Sequence, residues 1–388
     1  MMDRWTILGV LFFARMTMAF QFQSVPALSP IMVEAYGLSL VDIGLLIGLY
    51  LAPGILVAIA GGTLAARLGD KKIVGWSLGL MLAGGTLLAL GPGGWSLTAG
   101  RVLAGAGGVV VNIVMTKMVV DWFAGREIST AMAIYINSWP VGIALALLTL
   151  PWVATAGGLG AAWLFVLVLI AVGLVLFLRC YRSPEGAATG PSTVSVRGFP
   201  VAPLVLAGAI WALYNAALAM VFGFGPALLT ERGLTLQAAS GATSLFMIVF
   251  CVSVPLGGIL ADRSGRPAMV IALGLIGFVV LMPLAIMVAP YWVAAIFVAV
   301  GFLFGLSAGP VVGLPAMFLA PDARAFAMGV YFTIYYAWMM FAPALAGVLA
   351  ERSGSAAATL LFGVAMCIAA LAALVAFGRS TPQVSRAA

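Results

Sequence analysis

The chain is 388 residues long, 64% hydrophobic and only 7% charged, with a mean hydropathy of +1.21. Soluble domains carry about a quarter charged residues, so an integral membrane protein is expected. Eighteen Lys and Arg against eleven Asp and Glu give a net charge of +7, but no basic run is interleaved with aromatics, and a nucleic-acid partner is not expected.

Stretches apolar and long enough to cross a bilayer of about 30 Å as helices fall at about 6–31, 41–62, 73–92, 97–119, 129–152 and 159–179. Six more follow, within the same precision, at about 200–225, 236–260, 268–289, 291–315, 325–350 and 356–377. The expected fold class is all-α and integral to the membrane: twelve transmembrane helices in two pseudo-symmetric six-helix bundles. MMDRWTILGV leads straight into the first span without a small-residue cleavage site, so that span is expected to be retained. The most polar break, Tyr181 to Gly198, is rich in Ser, Gly, Pro and Thr and reads as a linker. The domains expected are therefore 1–180, a cytoplasmic linker at 181–198, and 199–388 with a short cytoplasmic tail.

Shifted by 196 residues, the chain lands on itself. YGLSLVD from Tyr36 falls on RGLTLQA from Arg232, GGTLAARLG from Gly61 on GGILADRSG from Gly257, and AMAIYIN from Ala131 on AMGVYFT from Ala327. One shared offset close to half the length means duplication, the construction of many secondary transporters. With the N-terminus cytoplasmic, Arg4, Arg67, Lys71, Lys72, Arg126, Arg179, Arg182, Arg197, Arg263, Arg266, Arg324, Arg379 and Arg386 share its side, leaving only Arg232 and Arg352 outside. That is the positive-inside pattern. Both termini are expected in the cytoplasm, and the membrane is expected to be a plasma membrane of the bacterial inner-membrane kind.

GGILADRSGRP, with Gly258, Asp262, Arg263, Gly265 and Arg266, resembles the cytoplasmic loop motif of the major facilitator superfamily. Its repeat copy GGTLAARLGDKK carries Gly62, Arg67, Gly69, Asp70 and Lys71, with Ala66 where the motif has its Asp. DWFAGREISTAMAI from Asp121 and LAPDARAFAMG from Leu319 resemble further loops of the same superfamily. The resemblance covers essentially the whole chain and implies alternating access, with these loops as gates. Asp262 would pair with Arg263, Arg266 or a helix N-terminus; a charged turn that only fixes topology is the other reading. A first span that runs from an Arg through VPALSP to GLS also resembles the cyanate and nitroimidazole permease branch, and more loosely the nitrate and nitrite porters. The second half lacks the eighth-span arginine that the nitrate porters use.

Charges inside the membrane mark function unless a partner satisfies them. Arg15 lies nearly midway along the first span, where no internal carboxylate is available, and its fork of donors suits a carboxylate or small oxyanion. Backbone carbonyls, or Gln21 and Gln23, are its structural alternative, and these two glutamines also join the candidate site. Arg101 opens GRVLAGAGG, with Asn112 on its face three turns later, and both helix pairing and a cavity role are open. Lys117 reads as snorkelling. At the repeat offset Arg15 falls on Trp211 and Ala19 on Asn215. Trp211, Tyr214 and Asn215 of the seventh span, with Tyr331, Tyr335 and Trp338 of the eleventh, are candidates to line an anion pocket; packing is the alternative.

The expected function is secondary transport of a small solute, a small organic or inorganic anion, by alternating access; the alternative is export of hydrophobic or cationic compounds. With no His and no carboxylate inside a span, the usual proton-coupling groups are missing. GLSAG at Gly305 to Gly309 matches a hydrolase pattern by chance, since a Ser-His-Asp triad needs a histidine. Cys180, Cys251 and Cys367 show no metal spacing. No enzyme activity, cofactor or metal is expected; the partners are the solute and the lipid bilayer, and the working form is a monomer.

Overall fold

A computed structural model describes residues 3–57, 68–91, 94–123, 127–183, 200–317 and 324–380. The described residues form helices and no strand. In chain order they are α1 (Arg4–Tyr36), α2 (Leu40–Leu51), α3 (Asp70–Ala89), α4 (Gly94–Phe123), α5 (Ile128–Cys180), α6 (Val201–Glu231), α7 (Leu236–Ser264), α8 (Pro267–Met287), α9 (Pro290–Gly313), α10 (Arg324–Ser353) and α11 (Ala357–Ser380). Among the described residues eleven helices are long and apolar enough to cross a membrane. Unbroken, the 53 residues of α5 would run about 80 Å, far more than one crossing. Gly158 breaks it with φ 76° and ψ 178°, a backbone that only glycine adopts readily. The helix therefore supplies two of the twelve expected crossings.

By contacts the chain divides into two compact units, Met1–Tyr36 with Leu46–Ser192, and Gly37–Leu45 with Thr193–Ala388. In the first, α1 packs along α5 and α3 along α4; in the second, α9 packs on α7 and α8, and α6 on α10 and α11. Most of the linker expected at 181–198 lies outside the described residues.

Glycines set the closest helix contacts, as they do where backbones must touch within lipid. A Cβ on Gly105 of α4 would fall on the Tyr50 carbonyl of α2. At the repeat offset Gly301 of α9 stands the same way against Phe246 of α7. The repeated turn is likewise built twice: Gly37 and Gly233 both take positive φ, and the residue two positions on caps the next helix. Ser39 and Asp42 bond each other's backbone N–H through their side chains, while the Thr235 side chain accepts from the Ala238 N–H.

Gly105→Val should cost about 1–3 kcal/mol by overpacking the α2–α4 contact. Gly79→Ala, where a Cβ meets nothing within 4 Å, should be neutral or slightly stabilising. Thermal unfolding of the two purified variants compares them directly.

Candidate substrate site

The polar chemistry of the first unit begins with two prolines. A proline has no N–H to donate to the carbonyl four residues back, so Pro26 in α1 leaves that of Phe22 without its helical partner, and Pro140 in α5 does the same to Ile136. Both carbonyls receive a donor from an arginine on another helix. Arg101 of α4 gives Nη2 to Phe22 O at 3.1 Å, Nη1 to Gln21 O at 3.2 Å and Nε to Leu46 O at 2.8 Å. Its guanidinium also lies 4.6 Å from the centre of the Tyr50 ring. Arg15 of α1 gives Nη1 to Ile136 O at 3.1 Å, Tyr135 O at 3.0 Å and Ser138 Oγ at 2.9 Å, and Nε to Asn112 Oδ1 at 2.9 Å; its guanidinium lies 4.7 Å from the centre of the Tyr135 ring.

The two arginines differ in access. Arg101 is 0% exposed and holds three carbonyls, which makes it a joint between α1, α2 and α4. Of the two roles open in the sequence, helix pairing is the one this geometry describes. Arg15 and Asn112 are half-buried and remain open along part of their faces. Gln21 is fully buried and donates Nε2 to Met81 O of α3 at 2.8 Å, and Gln23 is buried too. The partners of Arg15 described above are therefore backbone carbonyls, Ser138 and Asn112. Pro26, Pro140, Tyr135 and Ser138 were not singled out in the sequence, although a proline four residues after a carbonyl near an arginine is a signal that spacing can carry.

In the second unit Trp211 stacks on Tyr214 and on Tyr331, both with centroids at 6.1 Å, and tilts against Tyr335 at 5.9 Å. Tyr214 donates its hydroxyl to Phe304 O at 2.9 Å and Tyr331 to Val311 O at 3.2 Å. Asn215 is half-buried and donates Nδ2 to Trp211 O at 2.8 Å. Trp338 follows Tyr335 by one turn of α10, half-buried.

Of the gate residues, Gly62 and Arg67 lie outside the described residues, as do parts of the loops from Asp121 and Leu319. Gly69 and Gly265 take positive φ at helix ends, while a Cβ on Gly258 would meet nothing within 4 Å. The carboxylate of Asp262 is exposed and makes no ion pair among the described residues, so the expected pairing with Arg263 or Arg266 is absent. The formed cluster is in the other half. Lys117, read as snorkelling, reaches Asp70 at 2.7 Å and Asp121 at 2.9 Å, joining the ends of α3 and α4. Beside it Lys71 donates to Tyr181 O at 2.7 Å.

A sequence profile described as Major Facilitator Superfamily matches residues 10–241 and, again, residues 210–388. The chain belongs to that superfamily. Among its relatives, the uncharacterised MFS-type transporter YbcL of Bacillus subtilis (strain 168) is 24% identical over 332 residues, 82% of each chain. The lysosomal dipeptide transporter MFSD1 of Danio rerio is 24% identical over 253 residues, 58% of this chain and 55% of its own. A bacterial homologue of the human lysosomal transporter Spinster superposes with a TM-score of 0.75 at 16% identity, over 99% of this chain and 97% of that one. The peptide transporter POT in complex with sulfate gives 0.78 at 16%, over 100% and 99%. At these identities the structural likeness shows the all-helical fold alone; the profile and the relatives point to a membrane transporter family rather than an enzyme family.

Arg101→Lys keeps the charge but cannot hold three carbonyls in a fork. It should lower stability by about 2–3 kcal/mol through lost charge-assisted bonds, read as a fall in melting temperature. Lys117→Met should speed amide exchange in the first turn of α3 about fivefold, a loss near 1 kcal/mol for a partly exposed cluster.

Proposed function

We propose that the chain moves a small anion across the membrane by alternating access, with Arg15 as the anion's principal contact and Asn112 beside it. The observation that carries this reading is the setting of Arg15. It sits mid-helix and half-buried, and it gives the four bonds described above to neutral acceptors, which orient the guanidinium. Carboxylates among the described residues lie within three residues of a helix end or just outside one, far from helix interiors. A guanidinium facing hydrocarbon is costly, so its open side is read as facing water.

Arg101 and Gln21 serve packing in this reading. The positive-inside pattern supports cytoplasmic termini in a plasma membrane, and the run from Arg15 through VPALSP to GLS supports kinship with the cyanate and nitroimidazole permeases. The Lys117 cluster is the better-formed candidate for a gate, because its ion pairs are made while Asp262 makes none.

The test is the melting temperature of the purified protein and of Arg15→Ala against nitrate, nitrite, cyanate, monocarboxylates, dicarboxylates and lipophilic cations. A ligand at 100 times its dissociation constant adds about 2.7 kcal/mol to the native state. An anion should stabilise wild type and not the variant. Stabilisation by cations alone, or equally in both proteins, overturns the reading and favours export of hydrophobic or cationic compounds.

A further inference from the structure

The duplication places Trp211 where the first half has Arg15, and Tyr331 where it has Tyr135. The two pairs are built alike: a guanidinium over one tyrosine ring, an indole stacked on the other. Their surroundings are not. Asn112 and Ser138, which accept from Arg15, correspond to Ala308 and Ile334, and Pro140, which frees the Ile136 carbonyl, corresponds to Tyr336. The acceptors have gone from the second half, and a donor has stayed.

The indole nitrogen of Trp211 is buried and donates no hydrogen bond, and the same holds for Trp338. An indole N–H is a donor only, and a buried donor left unmade carries a cost that an acceptor on a guest would relieve. Neighbouring hydroxyls do not relieve it: those of Tyr214 and Tyr331 donate to backbone carbonyls and accept nothing from the Trp211 N–H. Asn215 lies one turn from Trp211, midway along α6 and half-buried, where an amide turned to lipid would be equally costly. The face shared by Trp211 and Asn215 therefore suits a polar guest.

We infer that Trp211 and Asn215 form a neutral binding subsite in the second unit, in which the Trp211 N–H donates to an acceptor oxygen of the solute and the surrounding rings take its planar body. This rests on the transport reading above and narrows the solute class to planar organic anions, such as aromatic carboxylates, over small spherical or inorganic ones. Three tyrosine rings, each against the indole that carries an unmade donor, fit a flat, partly apolar guest.

The experiment measures dissociation constants of benzoate, acetate and nitrate for the full-length wild type, Trp211→Phe and Arg15→Ala. Trp211→Phe keeps a stacking ring and removes only the donor. Benzoate should bind wild type more tightly than acetate or nitrate, and Trp211→Phe should weaken benzoate about three- to tenfold, the span of one hydrogen bond to a neutral donor. In protein labelled with 5-fluorotryptophan, the fluorine resonance missing from Trp211→Phe should shift with benzoate. Unchanged benzoate affinity in Trp211→Phe, or a resonance unmoved by all three probes, overturns the subsite. A benzoate affinity that depends on Trp211 but not on Arg15 keeps the subsite and overturns the anion reading instead.

Discussion

Backbone satisfaction in lipid is the constraint on which the first half depends. Where water is absent, a carbonyl that loses its helical donor has to find another. Pro26 and Pro140 create two such carbonyls, and Arg101 and Arg15 supply the donors, each from a different helix. A charge that would be expelled from hydrocarbon is retained because it completes a neighbour's backbone. The same bonds tie α1 to α4 and α5, so the polar interior is a structural joint before it is a site.

The second half shows what happens when that pairing is lost. At the repeat offset Arg101 and Pro26 become Phe297 and Phe222, and Arg15 and Pro140 become Trp211 and Tyr336. Arginine and proline disappear together at both joints, as expected if each is present because of the other. Aromatic packing fills the gap, with Phe246 against Phe297 at 6.2 Å where Tyr50 meets Arg101 in the first half. The shared framework survives the exchange in the glycine contacts at Gly105 and Gly301 and in the capped turns after Gly37 and Gly233. One scaffold thus carries two chemistries, a cationic one and an aromatic one.

Much of this was legible in the sequence, because lipid imposes a one-dimensional signal. Span length and hydropathy gave the crossings, and the offset gave the duplication. Only the break at Gly158 was needed to divide α5, and the sequence reading already placed a loop beside it. Side-chain partnership was harder to read. Arg101 and Arg15 look alike in sequence, yet one is enclosed and the other half-open, since that depends on which faces of α1, α2 and α5 meet them. Lys117 was missed as a clamp because Asp70 lies 47 residues away and only tertiary packing brings it within 2.7 Å. For Asp262 the sequence left pairing with Arg263, Arg266 or a helix N-terminus and a charged turn all open, and among the described residues it makes no ion pair.

The joint between Pro26 and Arg101 also bears on biogenesis. Alone in the bilayer, α1 would expose an unbonded carbonyl and α4 an uncompensated cation, each a barrier to partitioning from the translocon. Together they cancel both defects. The first half should therefore leave the translocon as a group, with α1 held until α4 has been synthesised. The corresponding helices α6 and α9 carry Phe222 and Phe297 at those positions, so that joint does not couple their insertion.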